Sequence, residues 1–253
     1  MVNRFLGFLE RNHERIISVA VLLLIALFLF SFFKPEFIFS KTTATGGDMA
    51  SHYYTAYYMK GYLLPHGKVS GWTPGNYAGF PILNFYFPLP FALMALLSYF
   101  IPLEISFKLI TILGILSLPL AAFLFFKLMN FKFPVPIIAA VSSLFFLFIE
   151  SYSMWGGNIL STLAGEFTYS IGMSLMVLFF GTLYKGIEEK KHLMLNSILL
   201  ALTGLNHVYT LLIAGTSSLF FLLTKRHFKE NLKYLSKIYA LSFLLMSFWI
   251  FPL

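Results

Sequence analysis

Seven long stretches of apolar residues divide the chain, and short segments with charges, glycines and prolines separate them. They lack the alternation of apolar and polar residues that is typical of a strand in a membrane barrel. Because backbone groups in hydrocarbon must form their hydrogen bonds within their own segment, the pattern predicts membrane helices and an all-α fold. The stretches lie at 16–33, 85–101, 109–126, 134–149, 169–184, 193–223 and 238–253.

The composition indicates a protein that is solvated by lipid. Of its 253 residues 58% are hydrophobic and 11% are charged, and the mean hydropathy is +0.80, which is more apolar than a water-soluble domain can bury. The chain has no cysteine, which excludes disulfides, thiolate metal sites and cysteine nucleophiles. The net charge of +8 does not indicate a nucleic-acid partner, because the lysines and arginines stand in clusters between the apolar stretches.

Basic clusters predict the orientation, because short cytoplasmic segments are enriched in lysine and arginine. No small-residue cleavage site follows the first stretch, so we expect a retained anchor with its N-terminus in the cytoplasm. All the clusters should then be cytoplasmic. They are Arg4/Arg11/Arg15, Lys127/Lys132, Lys185/Lys190/Lys191 and Lys225/Arg226/Lys229/Lys233/Lys237.

This orientation allows only one crossing between the first anchor and Lys127. Stretch 109–126 is uninterrupted, whereas 85–101 opens with aromatic residues and prolines, which are typical of a helix at the headgroup level. We therefore assign the crossing to 109–126 and an interfacial helix to 85–101. Stretch 193–223 is too long for one crossing, so we expect two short spans that meet at His207.

The result is a polytopic transmembrane helical bundle of about seven spans. A large outer first loop, residues 34–105, should carry two interfacial helices. An outer second loop is expected at 150–167, and an outer turn at His207. Three outward features would then gather on one side of the membrane.

Asp48 is the only aspartate in the chain, and it opens a helix-compatible segment after Gly46 and Gly47. Its carboxylate either caps the first helical turn or faces a cavity. His52 follows four residues later and would share the same helix face. Because an ionisable group at the mouth of a membrane body is a functional candidate, we predict a catalytic role for Asp48.

Glu166 and His207 are the next candidates. Glu166 stands just before the apolar stretch 169–184, with no cation nearby in the sequence. It either stabilises the helix start through the helix dipole, or it acts with Asp48 to hold a divalent cation or to deprotonate an acceptor hydroxyl. His207 binds phosphate, acts as an acid, or satisfies a buried turn.

The segment 71–81 is dense in glycine and proline and lacks a regular period, which predicts an ordered loop. Its aromatic residues Trp72 and Tyr77 have two interpretations. They either stack on sugar rings or belong to the aromatic belt at the outer interface.

Several of these segments together resemble the membrane domain labelled 6-pyruvoyl-tetrahydropterin synthase-related. That domain is similar in layout to membrane glycosyltransferases of the GT-C class, such as the arabinofuranosyltransferase-like proteins. The resemblance covers most of the chain. It is carried by Gly46-Gly47-Asp48-Met49-Ala50-Ser51-His52-Tyr53, by 71–81, by Tyr86-Phe87-Pro88-Leu89-Pro90, by Trp155-Gly156-Gly157-Asn158, by Gly165-Glu166-Phe167 and by Leu205-Asn206-His207-Val208-Tyr209-Thr210.

The GT-C resemblance implies one acidic residue in each of the first two outer loops, and Asp48 and Glu166 fit those places. It implies a polyprenyl-phosphate sugar donor, a glycan or protein acceptor, and a divalent cation, Mg or Mn, if the two carboxylates hold one. The chain lacks an Asp-x-Asp pair and the histidine cluster that a soluble zinc-dependent pterin synthase requires. The expected substrate-binding residues are His52, Trp72, Tyr77, Trp155, Asn158 and His207.

The leading hypothesis is a glycosyltransferase of the cell membrane that works on its outer face. A non-enzymatic transporter or lipid-handling protein is the alternative, and a membrane scaffold is a third interpretation. Transporters usually carry ionisable groups deep within spans or paired broken helices in two repeats, whereas the acidic residues here gather at one face. Because GT-C proteins usually run longer, a single domain of residues 1–253 fits an N-terminal fragment or a truncated gene product.

Overall fold

The computed structural model describes residues 2–75, 77–151, 154–223 and 227–251, with side chains from residue 12 onward. Some residues of the predicted segments lie outside the described part of the chain. They are Lys225, Arg226 and positions 252–253, together with the side chains of Arg4 and Arg11. The helices are α1 (Val2–Phe32), α2 (Pro35–Ile38), α3 (Met49–Tyr58), α4 (Pro88–Leu97), α5 (Leu103–Leu128), α6 (Val135–Leu147), α7 (Ile159–Ser161), α8 (Phe167–Glu189), α9 (Leu193–Asn206), α10 (Val208–Ser218) and α11 (Phe228–Ile250). Two short strands, β1 (Gly71–Thr73) and β2 (Phe80–Ile82), pair antiparallel.

Helices α5 and α8 form the centre of the bundle and run parallel. A Cβ on Gly114 of α5 would lie 2.4 Å from the carbonyl carbon of Ser170, and one on Gly181 of α8 would lie 2.8 Å from Cα of Phe125. The hydroxyl of Ser174 donates a 2.8 Å hydrogen bond to the carbonyl of Gly114. Glycine thus lets the two backbones approach closely, which is how helices gain packing energy where lipid surrounds them.

The same two helices define two ends of the bundle. α5 starts beside the first loop, where the hydroxyl of Tyr53 donates to Glu104 at 3.1 Å, and α8 starts directly after Glu166. At 1.5 Å per residue they are about 35 to 39 Å long, which exceeds the roughly 30 Å of bilayer hydrocarbon. We call the end with Glu104 and Glu166 the loop end. The end where α5 and α8 stop, with Lys127 and Glu189, is the basic end.

Among the described residues, three helical segments are long and apolar enough to cross a membrane: Asn12–Phe32, Leu103–Leu128 and Ile159–Glu189. The chain is therefore an all-α integral membrane protein with one small hairpin, whereas the number of seven spans stays a prediction. Helix α11 begins at Phe228, well before the apolar stretch 238–253, because its first turns are amphipathic and bury Tyr234 and Leu235. The shorter apolar helices are Pro88–Leu97, Val135–Leu147, Leu193–Asn206 and Val208–Leu222.

The predicted break at His207 is confirmed. α9 stops at Asn206 and α10 starts at Val208, and His207 between them has an extended backbone with φ −164° and ψ 131°. Its imidazole Nδ1 accepts a hydrogen bond of 3.2 Å from the backbone N–H of Tyr209. The side chain therefore satisfies one of the N–H groups that a helix start leaves without a partner.

Segment 71–81 departs from the predicted loop, because β1 and β2 pair across it with Trp72 opposite Pro81. Strands of three residues are too short for alternation to be visible in the sequence. Two tyrosines of α3 hold the hairpin: the hydroxyl of Tyr58 donates to the carbonyl of Trp72 at 2.9 Å, and that of Tyr54 lies 2.7 Å from the hydroxyl of Thr73. The hairpin is thus fixed to α3.

The predicted interfacial helix in 85–101 is present as α4, which has prolines in its first turn. Phe91 and Met94 are fully buried in a core that also contains Met49 of α3 and Phe107 of α5. The helix therefore packs into the protein on one side. Whether its other side lies at the headgroups stays a prediction.

Candidate functional site

The first and second loops at the loop end meet at a seam that consists of Gly47, Asp48, Ala164 and Gly165, which we call the glycine seam. The backbone N–H of Asp48 donates a 2.8 Å hydrogen bond to the carbonyl of Ala164. A Cβ on Gly47 would lie 2.0 Å from the same oxygen, and a Cβ on Gly165 would lie 3.0 Å from Cβ of Asp48. Both glycines have positive φ, +49° and +128°. A side chain at either position would push the loops apart.

Asp48 stands at the N-cap position of α3, as the sequence predicts, but its side chain forms no capping hydrogen bond. The helix start is held instead by backbone contacts, because the N–H of His52 donates to the carbonyl of Asp48 at 3.0 Å. The side chain of Asp48 is exposed. Its carboxylate is therefore not occupied by capping and faces solvent next to the second loop.

Glu166 directly precedes α8 and faces His207. Oε2 of Glu166 lies 4.0 Å from Nε2 of His207, and the two side chains are 31% and 8% exposed. Because Nδ1 accepts the N–H of Tyr209, the neutral imidazole carries its hydrogen on Nε2, on the side of the carboxylate. Burial lowers the pKa of His207 to about 4, so near neutral pH the ring in this contact is neutral. Burial raises the pKa of Glu166, and the charge of Asp48 adds to the rise.

His52 and Tyr86 form an aromatic pair beside the carboxylates. Their rings stack with centroids 5.4 Å apart, and the His52 ring also meets Phe167 edge-on at 5.2 Å. Burial lowers the pKa of His52, and the charge of Asp48 opposes this. Burial raises the pKa of Tyr86 to about 12, and the carboxylates of Glu166 and Asp48 add to the rise. Tyr86 thus lies within the field of both acidic residues and keeps its hydroxyl hydrogen.

A groove of about 510 Å³ opens next to this pair, between α3, β2 and the segment before α4. Its size falls within the range of small-molecule sites. Asp48 and Glu166 are not among the residues that line this groove. Both carboxylates lie close enough to Tyr86, which does line it, to raise the pKa of its hydroxyl. The wall is formed by Ala50, Ser51, His52, Tyr54, Thr55, Phe80, Ile82, Leu83 and Tyr86.

Four predicted substrate-binding residues lie away from this pair. Trp72 and Tyr77 stand on the exposed surface of the hairpin, where Phe80 and Ile82 face the groove instead. Trp155 is exposed on the second loop. Asn158 is buried, and both ends of its amide bind backbone: Oδ1 accepts the N–H of Ser161 at 2.9 Å, and Nδ2 donates to the carbonyl of Ile149 at 2.8 Å. Its amide therefore shapes the second loop.

Sequence reasoning missed two contributors to the site. Tyr86 was assigned to the membrane interface as one aromatic residue among several, although the prolines that follow it mark the segment before α4. Asn206 is fully buried, and its Oδ1 has no hydrogen-bond partner in the part of the chain that the structure describes. Buried polar atoms without a partner are uncommon in proteins, and this one adjoins His207.

The predicted divalent cation gains no support from the ligand set. Within the described ranges, no three or more histidine, aspartate and glutamate side chains are grouped so that they could hold a metal ion. Mg and Mn prefer several oxygen ligands, whereas this site offers two carboxylates and two imidazoles.

Comparison with known proteins gives one match. Residues 83–253 match a family described as 6-pyruvoyl-tetrahydropterin synthase related domain, membrane protein. The matched segment contains Tyr86, Glu166 and His207, whereas Asp48 and His52 precede it. No curated protein and no solved structure matches the chain.

Proposed function

Because the chain belongs to the 6-pyruvoyl-tetrahydropterin synthase related family of membrane proteins, we propose that it acts on a substrate held at the membrane surface. The proposed activity is that of a GT-C type glycosyltransferase. It transfers a sugar from a polyprenyl-phosphate donor to a glycan or protein acceptor on the non-cytoplasmic face. The bilayer presents such a donor to residues that emerge at one end of the helical bundle.

The meeting of Asp48 and Glu166 across the glycine seam carries this proposal. The two residues are 118 positions apart in the numbering of the chain, yet both lie near Tyr86. Bringing two carboxylates from separate loops together costs free energy, because like charges repel. Their proximity at the loop end supports a chemical role over a purely structural one.

In the proposed reaction Asp48 acts as the general base. Its exposed carboxylate accepts the proton of an acceptor hydroxyl, whose oxygen forms a bond to the anomeric carbon of the sugar. The bond between that carbon and the phosphate oxygen breaks, and its electron pair leaves with the polyprenyl phosphate.

The neighbouring residues fit supporting roles. The Nε2 hydrogen of His207 and the hydroxyl of Tyr86 are donors that can bind phosphate or sugar oxygens. Glu166 accepts hydrogen bonds from sugar hydroxyls and keeps the imidazole of His207 oriented. His52 stacks on Tyr86 and forms part of the groove wall. No step passes through a metal ion, since the described ligand set does not favour one.

The proposal includes a topology. About seven spans, an N-terminus in the cytoplasm and the loop end outside the plasma membrane would place the donor phosphate and Asp48 in the same leaflet. The described basic residues Lys127, Lys132 and Lys185 lie at the opposite end of α5 and α8, as the charge rule requires of such an orientation.

Substitution of the two carboxylates tests the function. Asp48→Asn and Glu166→Gln are expected to insert and unfold like the wild type but to lose sugar transfer in proteoliposomes supplied with a panel of polyprenyl-phosphate sugars. Glu36→Gln and Glu150→Gln are matched controls, because they remove exposed carboxylates from the same two outer segments. Wild-type transfer by both site variants would remove the catalytic assignment. Donor movement across the bilayer without transfer would favour the lipid-handling alternative.

A further inference from the structure

A second groove lies at the basic end, between α1, α5 and the start of α6. It has a volume of about 460 Å³. Cationic side chains stand at its mouth, and apolar side chains form its walls. The residues that matter here are Arg15, Val19, Leu22, Phe123, Lys127 and Lys132.

The three cations of this groove have no salt bridge within the described residues. Arg15, Lys127 and Lys132 come from three different elements, and all three side chains are exposed. The cations of the next basic turn behave differently, because Lys185 pairs with Glu189 at 3.6 Å and Lys190 pairs with Glu230 at 3.8 Å. Cations that line one groove in excess over its carboxylates, and that form no salt bridge, are complementary to an external anion.

The inner part of the groove is apolar. Phe123 and Ile137 are buried in the core that joins α1, α5 and α6, and Leu22 packs against that core. The Nζ of Lys127 lies 5.5 Å from the centre of the Phe123 ring. A ligand there would meet cations at one end and hydrocarbon at the other, as a phospholipid requires.

The position along the bundle agrees with a lipid headgroup. Lys127 lies in the last turn of α5. It is about 35 Å from Glu104 along the helix, which is close to the thickness of the bilayer hydrocarbon. The turn after α5 is fixed to α8, because the side-chain amide of Asn130 donates to Glu188 at 3.2 Å. The cations therefore stand at the level of an interface.

We propose that this groove binds an anionic phospholipid of the bilayer. Its phosphate lies among Arg15, Lys127 and Lys132, and an acyl chain runs along Val19 and Leu22 towards Phe123. Basic pockets between membrane helices bind lipid headgroups in this way. Glu14 also lines the groove and opposes the anion, so three cations act against one carboxylate.

Native mass spectrometry of the full chain in detergent tests the proposal, with phosphatidylglycerol and phosphatidylcholine added in equal amounts. We expect the wild type to retain phosphatidylglycerol at least tenfold better. The triple variant Arg15→Gln, Lys127→Gln, Lys132→Gln should lose this preference. Each cation removed should weaken the binding of phosphatidylglycerol by roughly fivefold. The control variant Lys229→Gln, Lys233→Gln, Lys237→Gln changes the net charge by the same amount, on α11. It should keep the preference for phosphatidylglycerol. Equal loss in both variants, or equal retention, would overturn the site.

Two further measurements separate the possible sources of binding. Glu14→Gln removes the opposing carboxylate and should increase retention of phosphatidylglycerol, which keeps the test decisive even if the triple variant does not fold. Glycerol phosphate at the same concentration should not displace the lipid, because it lacks an acyl chain. Displacement by glycerol phosphate, or unchanged retention in Glu14→Gln, would contradict a phospholipid site.

Discussion

The backbone nitrogen of Asp48 lies 2.8 Å from the carbonyl oxygen of Ala164, and this hydrogen bond joins the first loop to the second. It sets the position of the only aspartate of the chain relative to Glu166, two residues beyond Ala164. The carboxylate of Asp48 takes no part in the bond. The seam thus fixes the backbone and leaves the side chain available for chemistry.

The first prediction concerns Gly47→Ala. Gly46 is a matched control, because both glycines have positive φ but a Cβ on Gly46 would meet nothing within 4 Å, whereas one on Gly47 would lie 2.0 Å from the carbonyl oxygen of Ala164. Both variants should lose about 1–2 kcal/mol of unfolding free energy from the backbone conformation. Gly47→Ala should lose more and should also lose activity, because the loops must separate.

Thermal unfolding in detergent and an assay of sugar transfer measure the two effects. Equal unfolding temperatures and equal activities for Gly47→Ala and Gly46→Ala would show that the seam is not closely packed.

The second prediction concerns pH. The pKa of His207 is lowered to about 4 by burial, while in the unfolded chain it is close to the ordinary value of about 6.5. The contribution of His207 to stability should therefore be fully present above pH 6.5 and should be lost as the pH decreases towards 4, because the unfolded state binds the proton first. His52, whose pKa is also lowered by burial, should contribute in the same direction. Glu166, whose pKa is raised by burial, contributes in the opposite direction.

This expectation is tested by the unfolding temperatures of the wild type, His207→Gln and His66→Gln. They are measured between pH 7 and pH 4, a range set by the folded and unfolded pKa values of His207. His207→Gln should reduce the decline, while the exposed His66 serves as the control and should leave it as in the wild type. A decline of the same size in His207→Gln would assign the effect to other groups.

The third prediction concerns orientation. The chain has no cysteine, so single cysteines report sidedness directly. Tyr77→Cys, on the fully exposed surface of the hairpin, should react in intact cells with a maleimide that cannot cross membranes. Lys191→Cys, at the basic end, should react only after permeabilisation, because basic turns stay in the cytoplasm. The reverse pattern would invert the topology and remove the outer-face assignment of the site.

The candidate site could be predicted from the sequence only in part. Scarcity singled out Asp48, and Glu166 stood out because no cation was near it in the sequence. The stacking of Tyr86 on His52 joins two segments of the first loop, and no periodic pattern encodes such a contact. The sequence left the capping roles of Asp48 and His207 open. In the structure the side chain of Asp48 forms no capping hydrogen bond, whereas that of His207 accepts from the backbone N–H of Tyr209.

What the sequence alone determined is the class of protein. Long apolar stretches in a chain with few charges must form membrane helices, since lipid offers the backbone no hydrogen-bond partner. The break at His207 was visible for the same reason, because the stretch around it exceeds one bilayer thickness.

Only the tertiary structure decided which loops touch. The pairing of Gly47 with Ala164, and the placement of Arg15 beside Lys127, depend on how helices pack over distances that local propensity does not encode. Burial also distinguishes two polar loop residues that are both candidates in the sequence. The side chain of Asn158 is buried and binds backbone groups, while Asp48 is exposed. Such differences arise from close packing of the whole bundle, where a single Cβ changes which surfaces can meet.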